Sequence, residues 1–237
     1  MKIGFFSDAH GNPDGVILCL DFFRRSGVDN IFFLGDAIGY YPDSNEVVKL
    51  LVDSNCECLM GNHEAMLLNK KKYNNQYDNI YKLGEARDSL QENFLDLLAS
   101  WLPLRILEIR DRKILMVHGS PWDPLNGYCY PDCEEQGFSA LPFDYVVVAH
   151  THRPFMKQIG TVKLVNIGSC SLPRDCGNLS SCAILDTSCN DFNIYRIRLD
   201  ECKLIEKYAD RVHPEVIDVL QRRMPYSSLI GKLVEER

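Results

Sequence analysis

Near its start the chain reads Ile3-Gly4-Phe5-Phe6-Ser7-Asp8-Ala9-His10, an apolar run that ends in a polar cluster. A short run of this kind is typical of a β-strand buried on both faces of a sheet. Asn12-Pro13 follows, and a capping side chain with proline at the first helical position predicts that a helix begins there. The order strand, polar cluster, helix predicts a parallel strand whose carboxyl end carries the side chains of Asp8 and His10.

The same order of an apolar run and a polar cluster recurs four more times along the chain. The later clusters are Gly35-Asp36, Gly61-Asn62-His63-Glu64, His118-Gly119 and His150-Thr151-His152. Five of the six histidines lie in these clusters, and only His213 lies outside them. Because ligand sites in open α/β sheets form at the carboxyl ends of the strands, the clusters are expected to converge. This pattern predicts a two-metal site assembled at the ends of several strands.

The length and composition are typical of a folded domain and exclude a disordered or fibrous chain. At 237 residues the chain is within reach of one large α/β or sandwich domain, and 46% hydrophobic residues can build a sizeable core. The formal net charge of -7 argues against a protein that coats nucleic acid, because such proteins normally need a basic surface. No apolar stretch is long enough to span a bilayer, so no membrane partner is expected.

The ten cysteines are interpreted as reduced thiols. The first residues form a strand-like run and lack the apolar segment of a secretion signal, so a cytoplasmic location is expected. No paired Cys-x-x-Cys motif of a zinc knuckle is present, and the cysteines are interpreted mainly as small buried side chains. Cys170 and Cys176 are candidate exceptions, because they lie near a loop of the expected site.

The rest of the chain divides into a helical part and a strand-rich part. Alternating strands and helices in the first third predict parallel strands with helical crossovers. The polar segment 69–79 is expected to be a surface loop, and residues 84–100 have the spacing of one helix. Short strands are predicted over 104–198, and helical spacing returns from Pro214.

The side chains in the clusters are suitable metal ligands. Imidazole nitrogens, carboxylates and an asparagine carbonyl can bind Mn, Fe, Zn or Mg, and the nitrogen donors favour the transition metals. Residues two positions apart at a strand end, as in Asp8-x-His10 and His150-x-His152, can point into one pocket. Asp36 is a candidate bridge, because one aspartate can give an oxygen to each of two cations. A structural zinc could use four of these groups, but such sites seldom collect ligands from so many separate strand ends.

In this order, the clusters resemble the motifs of the calcineurin-like metallophosphoesterase superfamily across most of the chain. The segments similar to its small bacterial and archaeal phosphodiesterases are Ser7-Asp8-Ala9-His10-Gly11-Asn12, Gly39-Tyr40-Tyr41-Pro42-Asp43, Val117-His118-Gly119-Ser120-Pro121, Asn166-Ile167-Gly168-Ser169 and Pro173-Arg174-Asp175. The resemblance implies an α/β fold, termed α+β in some schemes: a four-layer αββα sandwich of two mixed sheets flanked by helices. It also implies that residues 1–237 form a single domain of this type.

The resemblance further implies two divalent metal ions, which could be Mn, Fe, Zn, Ni or Mg, with Mn or Fe favoured. The ligands it implies are Asp8, His10, Asp36 and His152 for the first metal, and Asp36, Asn62, His118 and His150 for the second. His63 is then left beside the metals, where it could protonate the leaving oxygen or stabilise charge on the phosphoryl group. The alternative is that His63 is a spacer without a chemical role.

Three more residues receive roles from their positions in these motifs. Asn12 and Arg174 are candidate contacts to the substrate phosphate, although Arg174 could almost equally form a surface salt bridge with an acid. Glu64 is expected to cap the helix after its motif, with its carboxylate facing the positive end of the helix dipole.

The chain departs from the family pattern at three places. Protein serine/threonine phosphatases and diadenosine tetraphosphate hydrolases carry Asp-Arg-Gly shortly after the Gly-Asp pair, whereas this chain reads Gly35-Asp36-Ala37-Ile38-Gly39-Tyr40. That subgroup is therefore disfavoured, and the aspartate that orients the catalytic histidine there has no counterpart beside His63. Ala149 and Ile167 stand where glycine and proline are usual, and neither change removes a metal ligand.

The leading hypothesis is a metal-dependent phosphoesterase that hydrolyses a phosphodiester or phosphomonoester, with a water or hydroxide that bridges the metals as nucleophile. The expected partner is a small phosphate ester, which could be a nucleotide. Tyr40, Tyr41 and Trp122 could stack on a base or an aryl group, or could equally be packing residues.

Two alternatives belong to other functional classes. A non-catalytic metal-binding scaffold of the same fold, resembling the retromer subunit, would act through protein partners, and Tyr128, Tyr130 and Phe138 are the candidate contact patch. A DNA-directed nuclease of the superfamily would carry a basic face or extra segments, which this acidic chain does not show. The physiological substrate and the oligomeric state stay open.

Overall fold

The computed structural model describes residues 1–69 and 75–234. Within these ranges the strands are β1 (Lys2–Phe6), β2 (Asn30–Phe33), β3 (Glu57–Cys58), β4 (Leu104–Ile109), β5 (Arg112–Val117), β6 (Tyr145–Val148), β7 (Phe155–Ile159), β8 (Val162–Asn166), β9 (Leu179–Asp186), β10 (Asp191–Arg198) and β11 (Lys232–Leu233). The helices in the same ranges are α1 (Pro13–Ser26), α2 (Ser44–Asp53), α3 (Asn62–Leu67), α4 (Asp78–Tyr81), α5 (Leu83–Ser89), α6 (Glu92–Ser100), α7 (Glu135–Ser139), α8 (Glu201–Tyr208) and α9 (Pro214–Leu220). Short 3₁₀ helices lie at Asn75–Tyr77 and Tyr226–Ser228.

The strands form two mixed sheets. The first has the order β11-β10-β9-β1-β2-β3, and the second has the order β4-β5-β6-β8-β7. β1, β2 and β3 are parallel, as predicted for the first third of the chain, whereas β9 runs antiparallel to β1. In the second sheet β5, β6 and β8 are parallel, and the edge strands β4 and β7 are antiparallel to their neighbours. All five polar clusters follow the carboxyl ends of parallel strands, namely β1, β2, β3, β5 and β6.

Side chains that alternate along the strands divide the core into layers. Phe5 and Val147 pack between the two sheets, whereas Phe6 faces α1 on the outer side of the first sheet. Val148 faces the outer side of the second sheet, where Phe138 of α7 covers it. The structure confirms the predicted four-layer αββα sandwich, although its layer over the second sheet is thin.

The first helix, α1, begins where the sequence predicts. Asn12 Oδ1 accepts a hydrogen bond from Asp14 N at 3.1 Å, and Gly27 ends the helix in the left-handed conformation. An oxygen side chain at the N-cap and a glycine after the last turn are local signals, so these bounds do not depend on distant contacts.

The predicted single helix over residues 84–100 is wrong. The segment forms two helices, α5 and α6, with extended backbone at Leu90 and Gln91 between them. Leu90 is buried in the core, and Gln91 N donates a hydrogen bond to Asn45 Oδ1 at 3.0 Å. These tertiary contacts outweigh the helical spacing of the sequence.

Other expectations also need correction. Residues 70–74 of the predicted loop over 69–79 lie outside the described residues, but its last part forms a 3₁₀ helix and the start of α4. Tyr41 is buried against Tyr208, with 5.1 Å between the ring centroids, so it is a packing residue. Phe138 is also buried, which leaves only Tyr128 and Tyr130 of the predicted contact patch exposed.

Among residues 1–69 and 75–234, no helix combines the length and the apolar character needed to cross a membrane. All ten cysteines lie in these ranges and are free thiols. Cys170 and Cys176 are both buried. The cytoplasmic location and the single domain stay predictions.

A buried ion pair joins β10 to the segment before β9. The guanidinium of Arg196 is inaccessible to solvent and donates to both carboxylate oxygens of Asp175, at 2.5 and 2.9 Å, and to Leu179 O at 2.9 Å. This pair holds the segment that carries Arg174.

Replacing Asp175 with Asn is expected to lower the free energy of unfolding by about 3–5 kcal/mol, because the buried guanidinium loses its counter-charge. Urea denaturation measures this loss, and the melting temperature is expected to fall on the order of 10 °C. The matched control is Asp21→Asn, which breaks the exposed pair of Asp21 with Arg24 and is expected to cost less than about 1 kcal/mol. Equal losses in the two variants would contradict the role given to Asp175.

Candidate metal centre

Five of the predicted site residues adopt the left-handed backbone conformation. The φ angle is 56° at Asp8, 51° at His10, 59° at Asp36, 64° at His150 and 58° at His152. This conformation is uncommon outside glycine, although Asp and His adopt it more readily than most residues. It turns the chain sharply at each strand end, so that residues two positions apart face the same pocket. Backbone strain of this kind, about 1–3 kcal/mol per residue, is typical of functional sites.

Backbone contacts hold the ends of β1 and β2 together. Asp8 N donates to Gly35 O at 3.0 Å, and His10 N donates to Asp36 O at 2.9 Å. A Cβ atom at Gly61 would lie 2.2 Å from Asp36 Oδ1. Glycine is therefore required at this position, because the carboxylate packs directly on its backbone.

The first group of side chains comprises Asp8, His10, Asp36 and His152, all of them buried. His10 Nε2 lies 3.0 Å from His152 Nε2 and 3.7 Å from Asp36 Oδ2. His152 Nε2 lies 3.2 Å from Asp8 Oδ1. Ligand atoms bound to one cation at about 2.1 Å are separated from one another by about 3–3.5 Å. The spacing of this group is close to that of the ligands of one metal ion.

The second group comprises Asp36, Asn62, His118 and His150, which are buried as well. His118 Nε2 lies 3.0 Å from Asn62 Oδ1 and 3.2 Å from His150 Nδ1. The same nitrogen lies 3.3 Å from Asp36 Oδ2. The structure thus brings together all seven residues that the sequence predicts as ligands, in two groups that share Asp36.

A single oxygen of Asp36 faces both groups. Oδ2 is 3.7 Å from His10 Nε2 and 3.3 Å from His118 Nε2. Oδ1 instead accepts a hydrogen bond from His63 N at 2.9 Å. The geometry therefore favours a bridge through one shared oxygen.

The carboxylate of Asp8 indicates that a cation fits the first group. Both of its oxygens are buried, and no donor among the described residues reaches either of them in hydrogen-bonding geometry. Burial opposes ionisation, but the neighbouring His152 lowers the pKa of Asp8 to about 2. Buried carboxylates are normally paired or bound to a metal. An ionised, buried carboxylate whose nearest polar neighbours are imidazole nitrogens, with His152 Nε2 at 3.2 Å from Oδ1, fits a divalent metal ion.

Backbone carbonyls determine which nitrogen three of the histidines present to the site. The hydrogen-bonded pairs from Nδ1 to a carbonyl oxygen are His10 with Ile38 at 3.3 Å, His118 with Leu34 at 2.7 Å and His152 with Leu172 at 2.7 Å. A proton on Nδ1 leaves the lone pair of Nε2 free to bind a metal. His150 differs, because its Nδ1 faces the second group.

The second group also attracts positive charge. Burial disfavours the charged form of His118, but Asp36 outweighs burial and raises the pKa of His118 to about 9. Burial and the charge on His118 lower the pKa of His150 to about 3. The carboxylate of Asp36 thus favours positive charge at the position of the second group, as a metal ion would supply.

Glu64 holds the backbone around Asp36. Its Oε2 accepts hydrogen bonds from Asp36 N at 2.9 Å and Gly61 N at 2.8 Å, and its Oε1 accepts one from Ala37 N at 2.7 Å. The bond to Gly61 N confirms that Glu64 caps α3. Burial and the charge of Asp36 raise the pKa of Glu64 to about 7, which the backbone donors oppose.

Replacing Glu64 with Gln is expected to lower the free energy of unfolding by about 1–3 kcal/mol, because one of the three backbone donors then faces an amide NH₂. Metal affinity should fall as well, since the backbone of Asp36 is less firmly held. Urea denaturation and metal titration measure the two effects. Glu57→Gln removes an exposed carboxylate and is the control. An equal loss of stability and metal affinity in the Glu57 variant would contradict the role of Glu64 in holding the backbone of Asp36.

His63 lies beside the first group without a carboxylate on its Nδ1. This nitrogen is buried, has no hydrogen-bond partner in the described part of the chain, and faces Gly39, where a Cβ would lie 2.5 Å away. The ring stacks on Tyr40, with centroids 5.2 Å apart and planes at 20°. Burial lowers the pKa of His63 to about 4. A ring nitrogen of His63 also lies within 4.8 Å of His10 and Asp36, so the residue borders the metal ligands.

The two predicted substrate contacts differ in their surroundings. Asn12 is fully buried, and its Oδ1 caps α1, while its Nδ2 has no partner among the described residues. Arg174 is half-buried, and its Nη2 donates to Tyr40 Oη at 3.4 Å. Among the described residues no carboxylate pairs with Arg174, so the predicted alternative of a surface salt bridge is not observed.

Tyr81 also lies at the site, although no sequence motif includes it. Its ring lies 5.0 Å from His63 and 5.3 Å from Tyr40, measured between centroids. Tyr81 follows a polar segment without periodicity, and no local pattern indicates its contacts. Trp122, which the sequence offered as a stacking residue, is 59% exposed and packs its ring edge on Phe138.

Comparison with known proteins agrees with the fold and the motifs. Residues 1–190 match the calcineurin-like phosphoesterase superfamily domain. The uncharacterized protein MJ0912 of Methanocaldococcus jannaschii is 32% identical over 234 residues, which cover 90% of this chain and 94% of that protein. Phosphodiesterase YfcE of Escherichia coli is 24% identical over 186 residues, which cover 78% of this chain and 88% of that protein.

A solved structure is similar over nearly its whole length. The crystal structure of a metallophosphoesterase from Sphaerobacter thermophilus matches this chain with a TM-score of 0.77 and 22% identity. The matched region covers 93% of this chain and 98% of the Sphaerobacter chain. These matches confirm the resemblance seen in the sequence motifs. The chain belongs to the calcineurin-like phosphoesterase superfamily, whose members similar to it include a bacterial phosphodiesterase.

Proposed function

We propose that the protein is a metal-dependent phosphoesterase that hydrolyses a phosphodiester or phosphomonoester. The observation that carries this proposal is the shared carboxylate oxygen: Asp36 Oδ2 faces His10 of one ligand group and His118 of the other. Two sets of ligands that meet at one oxygen are suited to a pair of cations about 3.5–4 Å apart. A single structural metal would not need the second set.

The seven ligands are proposed to hold two divalent cations, with Mn or Fe favoured because imidazole nitrogens supply four of the donors. Bound there, the two cations would supply an activated bridging water as nucleophile and positive charge for the phosphoryl oxygens. The backbone carbonyls behind His10, His118 and His152 keep the ligand nitrogens oriented before substrate binds.

His63 is proposed to donate a hydrogen bond to the phosphoryl group or the leaving oxygen. With its pKa lowered by burial, the ring is neutral near pH 7 and carries one proton. A buried N–H without an acceptor is rarer than a buried acceptor without a donor, so the proton is placed on Nε2 and the bare nitrogen faces Gly39. The neutral ring then stabilises the charge that develops on oxygen.

Arg174 is proposed to bind the substrate phosphate. Its guanidinium lacks a carboxylate partner in the described part of the chain, and its backbone N donates to His152 O at 3.0 Å, which fixes it beside the first ligand group. Asn12 is held by its cap on α1, and its contact with substrate stays a prediction.

Hydrolysis by the metal-stripped protein tests this function. A generic aryl phosphodiester and the matching monoester are supplied with Mn, Fe, Ni, Mg and Zn restored one at a time. We expect turnover to return with at least one transition metal, at about two metal ions per chain. Bound metal without turnover of either ester would overturn the proposed phosphoesterase activity and favour a non-catalytic metal-binding scaffold. The ratio of diester to monoester rates assigns the subclass.

A further inference from the structure

A column of aromatic rings leads from the candidate metal centre to the surface. Tyr81 contacts His63 and Tyr40, with ring centroids 5.0 and 5.3 Å apart. Tyr77 then stacks on Tyr81 at 5.8 Å with planes 24° apart, and its side chain is 44% exposed. The rings of Tyr40, Tyr81 and Tyr77 therefore form one continuous surface, here named the Tyr77 wall. It begins at His63 and ends in solvent.

A second pair of rings lies beside the other ligand group. The ring of Tyr128 is 4.3 Å from that of His150, and Tyr130 stacks on Tyr128 at 5.9 Å with planes 4° apart. Both tyrosines are exposed, by 56% and 39%. This pair, here named the Tyr128 wall, borders the second group, whereas the Tyr77 wall borders the first.

Arg174 lies beside the Tyr77 wall. Its Nη2 donates to Tyr40 Oη at 3.4 Å, and it lines one cavity with Tyr77 and Tyr81. The negative charge of a phosphate held at the metal centre would be matched at this position.

A groove of suitable size runs along the Tyr77 wall. Its volume is about 410 Å³. Its lining combines aromatic and aliphatic side chains with two basic and two acidic residues: Tyr40, Tyr77, Ile80, Tyr81, Leu172, Arg174, Glu215, Val216, Asp218, Val219 and Arg222. Small-molecule sites fall in the range of about 300–1,000 Å³ and are lined mainly by apolar and aromatic side chains with a few placed polar groups. The groove is large enough for a planar ring system.

We propose that the two tyrosine walls bind planar aromatic substituents of the substrate, so that the substrate class is a phosphodiester that carries an aryl or nucleoside group. The inference rests on the proposed function, because it places the phosphate at the metal centre. A diester has two substituents, and one wall borders each of the two ligand groups. Stacking on tyrosine tolerates any planar ring, so aryl and nucleoside groups share the chemistry that is recognised.

The test uses four p-nitrophenyl diesters that differ only in the second substituent: methyl, cyclohexyl, phenyl and thymidyl. The leaving group is the same in all four, so differences in kcat/KM report the second substituent. We expect phenyl and thymidyl to exceed methyl by between about fivefold and a hundredfold, and phenyl to exceed cyclohexyl. The comparison of phenyl with thymidyl distinguishes an aryl from a nucleoside substrate.

Tyr77→Leu and Tyr128→Leu remove one exposed ring from each wall. In at least one of them the preference for phenyl over methyl is expected to fall at least about fivefold at unchanged metal content. Tyr195→Leu is the matched control, because Tyr195 lies on β10 against Phe22. The preference of this variant for phenyl over methyl should match that of the unaltered protein. Equal rates for all four esters, or preferences unchanged in both wall variants, would overturn the inference and leave the proposed function standing. Failure to hydrolyse any of the four diesters while the aryl monoester is turned over would overturn the inference alone. Failure with the diesters and the monoester, with every metal restored, would overturn both.

Discussion

Asp36→Asn is expected to remove metal from both positions and to lower kcat/KM by at least about a hundredfold. The shared oxygen, Oδ2, faces His10 and His118, so one substitution acts on both ligand groups. The amide can still accept the hydrogen bond from His63 N through Oδ1. Its NH₂ then points to the position of the shared oxygen, and a donor cannot bind a cation.

Metal analysis after dialysis measures the effect of Asp36→Asn, alongside activity at saturating metal. We expect less than one ion per chain, compared with about two in the unaltered protein. Asp144→Asn is the matched control: Asp144 precedes β6, at the end opposite His150, and pairs with Arg112. Full occupancy in the Asp36 variant would contradict the bridge, and loss of metal in the control would indicate general damage to the fold.

The convergence of the polar clusters was predictable because each cluster carries its signal locally, whereas the assignment of individual ligands came from the resemblance to the family. An apolar run fixes a buried strand, and the polar cluster after it fixes the strand end, as at Asp8 and His118. The order of strands in the two sheets then brings these ends together. The sequence could thus indicate which side chains converge before any pairing of strands was known.

The position of His63 between Gly39 and Tyr40 could not be predicted in the same way. The missing Asp-Arg after Asp36 indicated that no aspartate orients this ring, and in the described residues Nδ1 indeed has no hydrogen-bond partner. What replaces the aspartate is ring stacking on Tyr40 and contact with glycine. Such contacts depend on the path of a loop, which local patterns do not determine.

Local sequence patterns also could not predict the tyrosine walls or the break between α5 and α6, because both depend on contacts between distant segments. Tyr81 lies beside His63 where the backbone is held by a hydrogen bond from Tyr40 N to Tyr81 O at 2.6 Å, across 41 positions of the sequence. Leu90 leaves the helical path because the core accepts its side chain. In both cases a contact between distant segments decides the local structure.

His63→Gln is expected to leave both metals bound and to lower kcat by about 10²–10³-fold. His63 borders the first ligand group, but its own ring has no place among the seven proposed ligands. Glutamine keeps a polar group at this position but loses the flat ring that stacks on Tyr40. The hydrogen bond to the phosphoryl or leaving oxygen is then misplaced in the transition state, whereas substrate binding is less affected.

Metal content, kcat and KM measured together separate the two possible positions of His63. His213→Gln is the matched control, because it makes the same change at the one histidine outside the clusters, where Nδ1 accepts a hydrogen bond from Glu215 N at the start of α9. A His63 variant that loses metal would place the residue among the ligands. A variant with full metal and unchanged kcat would make His63 a spacer without a chemical role. Only bound metal with a reduced kcat fits a neutral imidazole that acts on the phosphoryl group.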